Sequence, residues 1–277
     1  MTDKIAFQGE LGAYGHQACL DARPNHIPLP CTTFHDTMEA VRTGAAQLAM
    51  VAVENSTYGR VADVHALLPE SGLHIVDEAF VRVHVNLLGV RGARLEDVRA
   101  AHGHAVILPQ CAGFLRTYGI RGVTSTDNAR AAREVAERGD PSQAALASLL
   151  AADIYDLDVL APQIEDQANN TTRFLIMARD ADFTRRGEGV MNTAFLFRVR
   201  NIPAALYKAM GGFATNSVNM IKLESYMVGG SFTATQFFAE IEGHPDDANV
   251  QRAFDELRYF SSELRVLGTY PADPSRR

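Results

Sequence analysis

Asn169-Asn170-Thr171-Thr172-Arg173-Phe174, followed directly by the apolar run Leu175-Ile176-Met177, places amides, hydroxyls and a guanidinium on the lip of a short buried strand. Polar groups massed at a strand end must be solvated or hydrogen-bonded. A site for a small polyanion meets that need, with Arg173 as a planar fork for a carboxylate and Thr172 as a proton donor or acceptor. A loop in which Asn and Thr cap local backbone meets it too. Position along the chain favours the first reading: the hexapeptide stands where a chain that has built a second α/β lobe returns to its first.

Upstream, short apolar runs alternate with amphipathic segments. Lys4 to Phe7 reads as a strand, Ala13 to Asp21 as a helix, Ile27 to Pro30 as a strand, and Phe34 to Thr43 as a helix stopped by Gly44. Leu48 to Val53 is the continuous apolar run of a parallel strand buried on both faces, so an open α/β sheet is expected. Alternation from Ile75 to Val90 predicts one long strand leaving this lobe. A second α/β set follows. It has a helix from Pro109 to Tyr118, a strand from Gly122 to Ser125 and a helix opened by Thr126 and Asp127. An Ala-rich helix from Gln143 to Asp153 and a strand from Val159 to Ala161 complete it. Two lobes crossed twice by the chain make a hinged domain with a cleft, and such clefts hold ligands.

Arg179 to Gly189 is charged, lacks apolar periodicity and reads as a linker. Beyond it comes a β-α-β-β-α-β order. The strands are Thr193 to Val199, Met220 to Val228, Thr233 to Glu242 and Glu263 to Tyr270; the helices are Ala204 to Thr215 and Asp246 to Tyr259, with Asp246 as N-cap. Gly229-Gly230 is the expected hairpin turn, and the tail from Pro271 is expected to fray.

The 277 residues suit about two domains, and 47% hydrophobic with 21% charged residues is ordinary for a soluble globular protein. A net charge of −7 does not suggest a nucleic-acid or anionic-membrane surface. Cys19, Cys31 and Cys111 are odd in number and far apart, which argues against a disulfide framework or a structural zinc site. Met1 to Glu10 lacks a secretory apolar region, and no window approaches a membrane span, so the expected compartment is the cytoplasm.

Glu54-Asn55-Ser56 directly follows the apolar strand Leu48 to Val53, and the carboxyl ends of strands in an open α/β sheet face the binding crevice. The triplet offers a carboxylate, an amide and a hydroxyl; as an ordinary loop, Ser56 or Thr57 would cap a helix. Gln110 opens a helix, where its amide and the free N–H groups suit an anion. His102 and His104 would point the same way on a strand, but lack a third ligand at usable spacing. The loop Gly9 to Gly15 lacks the ending of a P-loop and reads as lining a substrate, and no GxSxG motif appears.

Taken in order, Glu54-Asn55-Ser56, Gln110-Cys111 and Asn170-Thr171-Thr172-Arg173-Phe174 resemble the motifs of the prephenate dehydratase family, and the resemblance covers nearly the whole chain. It implies a monofunctional lyase with an α/β fold. A two-lobed hinged catalytic domain like the periplasmic binding proteins (residues 1–180) is followed by a linker (181–191) and a ferredoxin-like βαββαβ ACT regulatory domain (192–271). By position, the resemblance puts the catalytic threonine on Thr172, with Asn55, Gln110 and Glu54 as polar partners. Arg173, Ser56 and Phe174 would bind substrate. It implies no cofactor and no metal, and the reaction is conversion of prephenate to phenylpyruvate, carbon dioxide and water on the route to phenylalanine. Arogenate dehydratase is the near alternative, and a non-catalytic amino-acid sensor the distant one.

Phenylalanine would act as allosteric effector at Pro203, Ala205, Leu206, Asn219, Glu224 and Ser225, with Asn201 in the same loop, in a dimer or tetramer paired through ACT domains. The sequence departs from the family pattern in places. Ala13, Tyr14 and Gly15 replace Thr, Phe and Ser of the opening loop, and Gly103 replaces a serine. The family's G-A-L reads Ala204-Ala205-Leu206, and its E-S-R-P reads Glu224-Ser225-Tyr226-Met227.

Overall fold

The computed structural model describes residues 3–186, 189–200, 202–227 and 234–276. The first elements are β1 (Lys4–Gln8), α1 (Tyr14–Ala22), β2 (Ile27–Cys31), α2 (Phe34–Arg42), β3 (Leu48–Asn55), β4 (Gly59–Arg60), α3 (Ala62–Leu67) and β5 (His74–Arg82). Next come β6 (Asn86–Val90), β7 (Ala100–His104), α4 (Ala112–Thr117), β8 (Arg121–Ser125), α5 (Asn128–Arg138), β9 (Gln143–Ala147), α6 (Leu149–Tyr155) and β10 (Leu157–Ala161). β11 (Thr171–Ala178) follows, then β12 (Met191–Val199), α7 (Ala205–Thr215), β13 (Met220–Met227), β14 (Ala234–Glu242), α8 (Ala248–Phe260) and β15 (Ser261–Pro271). One sheet runs β2-β1-β3-β11-β5 with β4 hung on β3, a second runs β10-β6-β9-β7-β8, and a third runs β13-β14-β12-β15.

Local chemistry accounts for these elements. Ile5, Ala6 and Phe7 in β1 are fully buried, and β1 pairs in parallel with both β2 and β3. That is the setting in which a strand reads as unbroken apolar sequence. A capping box at Thr33 and Asp36 starts α2, while the Asp127 carboxylate caps α5, which ends on left-handed Gly139.

The structure departs from the expected elements in informative places. The single long strand expected over Ile75 to Val90 is two strands in different sheets. Between them Val83 donates to the Asn170 carbonyl and Val85 to the Glu165 carboxylate, both at 2.9 Å, so the backbone here bonds to the other crossing segment. Ile164 returns the contact by donating to the Val85 carbonyl at 2.8 Å. Gln143 to Ala147 is a strand, where a helix was expected. Ala144 to Ala147 are fully buried between β6 and β7, and burial overrides the helix preference of alanine. Only Leu149 onward is helical, capped by Ser148. Ala100 to His104 is a strand, and β11 begins at Thr171, three residues before the strand expected from Phe174 to Ala178.

The chain forms two compact units, one of residues 1–65 and 79–174, the other of residues 66–78 and 175–277. The second unit has the expected β-α-β-β-α-β order; Gly229-Gly230 and Asn201 lie outside the described residues. Asp247 is the N-cap of α8 where Asp246 was expected. The sheet and its helices close over Phe195, Phe197, Phe213 and Phe254, with Phe195 edge-on to Phe254 at 5.1 Å.

The tail of this unit is held, contrary to the expected fraying. Arg276 reaches the buried Glu78 carboxylate at 2.6 and 2.8 Å and Glu240 at 3.3 Å, and the Asp273 amide donates to Glu78 at 2.9 Å. Buried carboxylates need such partners. Residues 66–78 press on β15 so closely that a Cβ at Gly268 would lie 1.9 Å from the Ile75 carbonyl oxygen. Gly268→Ala is therefore expected to cost about 3 kcal/mol of stability, read as a lower urea midpoint. An unchanged midpoint would contradict the packing.

Candidate active site

A cavity of about 470 Å³ opens at the carboxyl ends of strands from the first two sheets. Gln8 closes β1, Asn55 closes β3 and His104 closes β7, and each lines it. The strand-end rule for open α/β sheets thus places the site. Asn55, Gln110 and Thr172, distant in sequence, line this cavity together, and Phe174 lines it as well.

A chain of amides joins these residues. The backbone N–H groups of Thr57 and Tyr58 donate to Asn55 Oδ1 at 2.9 and 3.1 Å, fixing which end of that amide is oxygen. Asn55 Nδ2 then donates to Asn170 Oδ1 at 2.6 Å and to Thr172 Oγ at 3.0 Å. Asn170 Nδ2 donates in turn to Gln110 Oε1. Gln110 Nε2 donates to the Val106 carbonyl at 2.9 Å. Backbone groups pin both ends, so every amide has one allowed orientation. Because Thr172 Oγ accepts from Asn55, its own proton is left to be donated elsewhere.

Glu54 and Arg173 occupy a different place. Strand neighbours alternate faces, so a strand that turns Thr172 and Phe174 to the cavity turns Arg173 away. The Arg173 guanidinium is 3% exposed and pairs with Glu54 at 2.9 Å, and neither residue lines the cavity. Ser56 likewise works on the backbone, donating to the Asn169 carbonyl and accepting from the Thr171 amide, both at 2.9 Å. These contacts lock the end of β3 against the start of β11 and hold Asn55 beside Thr172. Near the cavity, burial pushes the Asp127 carboxyl up, the Tyr14 hydroxyl up, and the Cys111 thiol up to about 12. Cys111 is therefore a poor nucleophile. Among the described residues no group of three or more His, Cys, Asp or Glu is placed to hold a metal. No helix there is long and apolar enough to cross a membrane.

Residues 5–182 match the prephenate dehydratase family. The chain belongs to that family. A Komagataeibacter europaeus protein named bifunctional N-acyl-homoserine lactone acylase/prephenate dehydratase is 51% identical, covering 99% of this chain and 97% of the relative. Arogenate dehydratase/prephenate dehydratase 1 of Arabidopsis thaliana is 36% identical over 98% of this chain and 72% of its own length. Among solved structures, the prephenate dehydratase of Arthrobacter aurescens in complex with L-Phe superposes with a TM-score of 0.89 at 27% identity, covering 99% of this chain and 91% of that one. The architecture is that of this family: a periplasmic-binding-protein-like α/β domain with an ACT domain, and the enzyme class is a hydro-lyase.

In this prephenate dehydratase family member, Asn170 bridges Asn55 to Gln110 and is 1% exposed, a link to which the motif resemblance assigns no role. The i, i+2 spacing from Thr172 on one strand was the available signal. His104, Thr126, Asp127 and Asn128 also line the cavity. They follow the strand-end rule at β7 and β8, which the reading had applied only to β3. His102 bonds Gln143 at 2.8 Å instead of joining His104.

If Arg173 holds the strands together, Glu54→Leu removes a carboxylate paired with a buried guanidinium and is expected to cost roughly 2–4 kcal/mol of stability in urea unfolding. Arg173→Lys should likewise lower the melting temperature. A variant with unchanged melting but a raised KM would place Arg173 on the substrate instead.

Proposed function

We propose that this chain catalyses the decarboxylative dehydration of prephenate to phenylpyruvate, with arogenate, the aminated analogue, as the alternative substrate. The observation that carries the reading is the Thr172 hydroxyl, held as an acceptor by Asn55 and facing a cavity lined by Asn170 and Gln110. In the reaction the ring C–O bond breaks as the C–C bond to the ring carboxylate breaks. The electron pair of the lost carboxylate enters the ring, which becomes aromatic, and carbon dioxide departs. Thr172 gives its proton to the leaving hydroxide, making water, and regains one from solvent. Hydroxide is a strong enough base for a high-pKa donor to serve. As that proton leaves, the Asn55-to-Thr172 hydrogen bond becomes charge-assisted and strengthens, so it stabilises the transition state more than the ground state.

The test is absorbance-monitored turnover of prephenate by wild type and Thr172→Ala. The variant is expected to lose roughly 10²-fold or more in kcat with its melting temperature retained. Wild-type turnover by the variant would overturn the role of Thr172. The Komagataeibacter europaeus name supports a second reading, cleavage of N-acyl-homoserine lactones. Release of homoserine lactone from an N-acyl-homoserine lactone by the purified chain would support it, and none would contradict it.

We read the C-terminal unit as the phenylalanine-responsive part. Ala204, where the family pattern has glycine, is the α7 N-cap with a left-handed φ of 60°, the conformation that makes glycine the easy choice. Pro203, Ala205 and Leu206 surround this turn. Asn219 bonds Glu242 at 2.9 Å, and Glu224 lies 3.4 Å from Lys222. Glu224 and Ser225 are strand neighbours in β13 and face opposite ways, so their side chains serve different surfaces. As the edge strand of its sheet, β13 offers a surface for side-by-side pairing of two copies. Saturating phenylalanine is expected to change turnover or oligomeric state. No change in either would overturn the regulatory reading.

A further inference from the structure

The two candidate substrates differ only in the tail, which carries an α-keto group in prephenate and an α-ammonium in arogenate. The amide chain on Thr172 deals with the ring hydroxyl, so discrimination must come from another part of the cavity. The second sheet supplies a separate polar group to it: His104 at the end of β7, and Thr126, Asp127 and Asn128 where β8 passes into α5.

The hydrogen bonds of this group define what it can bind. His104 Nδ1 accepts from the Val106 amide at 3.3 Å, which leaves Nε2 to carry the proton. Asn128 Oδ1 accepts from the His104 amide at 2.8 Å, so its NH2 end is the one left to donate. Asp127 Oδ1 accepts from the Arg130 amide at 2.9 Å as the cap of α5, and the carboxylate, which also takes a backbone hydrogen bond from Ala129, lines the cavity. Two neutral donors beside a carboxylate complement an α-amino acid tail, with donors for the α-carboxylate and an anion for the ammonium. The other carboxylate lining the cavity, Asp63, is exposed on α3.

Resting on the dehydratase reading, we propose that Asp127 is the specificity-determining residue for the substrate tail, taking the α-ammonium of arogenate, so that the chain turns over the aminated substrate as well as the keto acid. A keto tail offers Asp127 no compensating charge, whereas an ammonium offsets the desolvation that burial imposes on the carboxyl.

The experiment measures kcat/KM for arogenate and prephenate with wild type and Asp127→Asn. Asparagine is nearly isosteric and is itself a good N-cap, so the substitution removes the charge while keeping the cap. The ratio of arogenate to prephenate kcat/KM is expected to fall about tenfold or more, mainly through the KM for arogenate. Equal losses on both substrates, or an unchanged ratio, would reduce Asp127 to a helix cap and overturn the proposal. Wild-type turnover of prephenate with none of arogenate would overturn it and leave the dehydratase reading standing. Turnover of neither substrate would overturn both.

Discussion

The site depends on the direction of one run of hydrogen bonds. It begins on two backbone N–H groups after β3 and ends on the backbone carbonyl of Val106, with the amides of Asn55, Asn170 and Gln110 between. An isolated amide can flip; an amide pinned between backbone groups cannot without leaving buried polar atoms unpaired. That fixed direction makes Thr172 an acceptor towards Asn55 and hence a donor towards the cavity. In the proposed reaction a weakly acidic hydroxyl is useful because its proton is aimed and the charge it leaves behind already has a partner.

The fold brings these groups together by crossing twice between its two α/β sheets. Val83 to Val85 on the outward crossing and Ile164 to Asn170 on the return bond to each other. Glu54 with Arg173, and Ser56 with the backbone of Asn169 and Thr171, then fix β3 against β11. The ion pair acts through position: Glu54 precedes Asn55 of the amide chain, and Arg173 follows Thr172, its target. Its burial explains why an arginine beside Thr172 does not line the cavity.

Much of this was legible in the sequence. Apolar runs marked the strands of the first sheet, and the motifs named Asn55, Gln110 and Thr172, which line one cavity. What failed did so for physical reasons. Alternation from Ile75 to Val90 carries no sign of the sheet change at Val83, because the crossing residues Val83 and Val85 are themselves buried. The alanine-rich stretch 144 to 147 looks helical until a sheet buries it. Arg173 looked like an anion fork because composition does not say which face of a strand a residue takes. Asp127 was legible only as a helix cap, since its place in the cavity depends on β8 lying beside β7.

The amide chain matters to the proposed reaction only if it works through Thr172. A double-mutant cycle on Asn170, which bonds Asn55 and Gln110, and Thr172 tests this through kcat for prephenate. Asn170→Ala should lower kcat in the wild-type background and change it by less than about threefold once Thr172 is alanine, as expected of residues acting as one unit. Losses that simply multiply would show that Asn170 and Thr172 act independently, and would contradict the account.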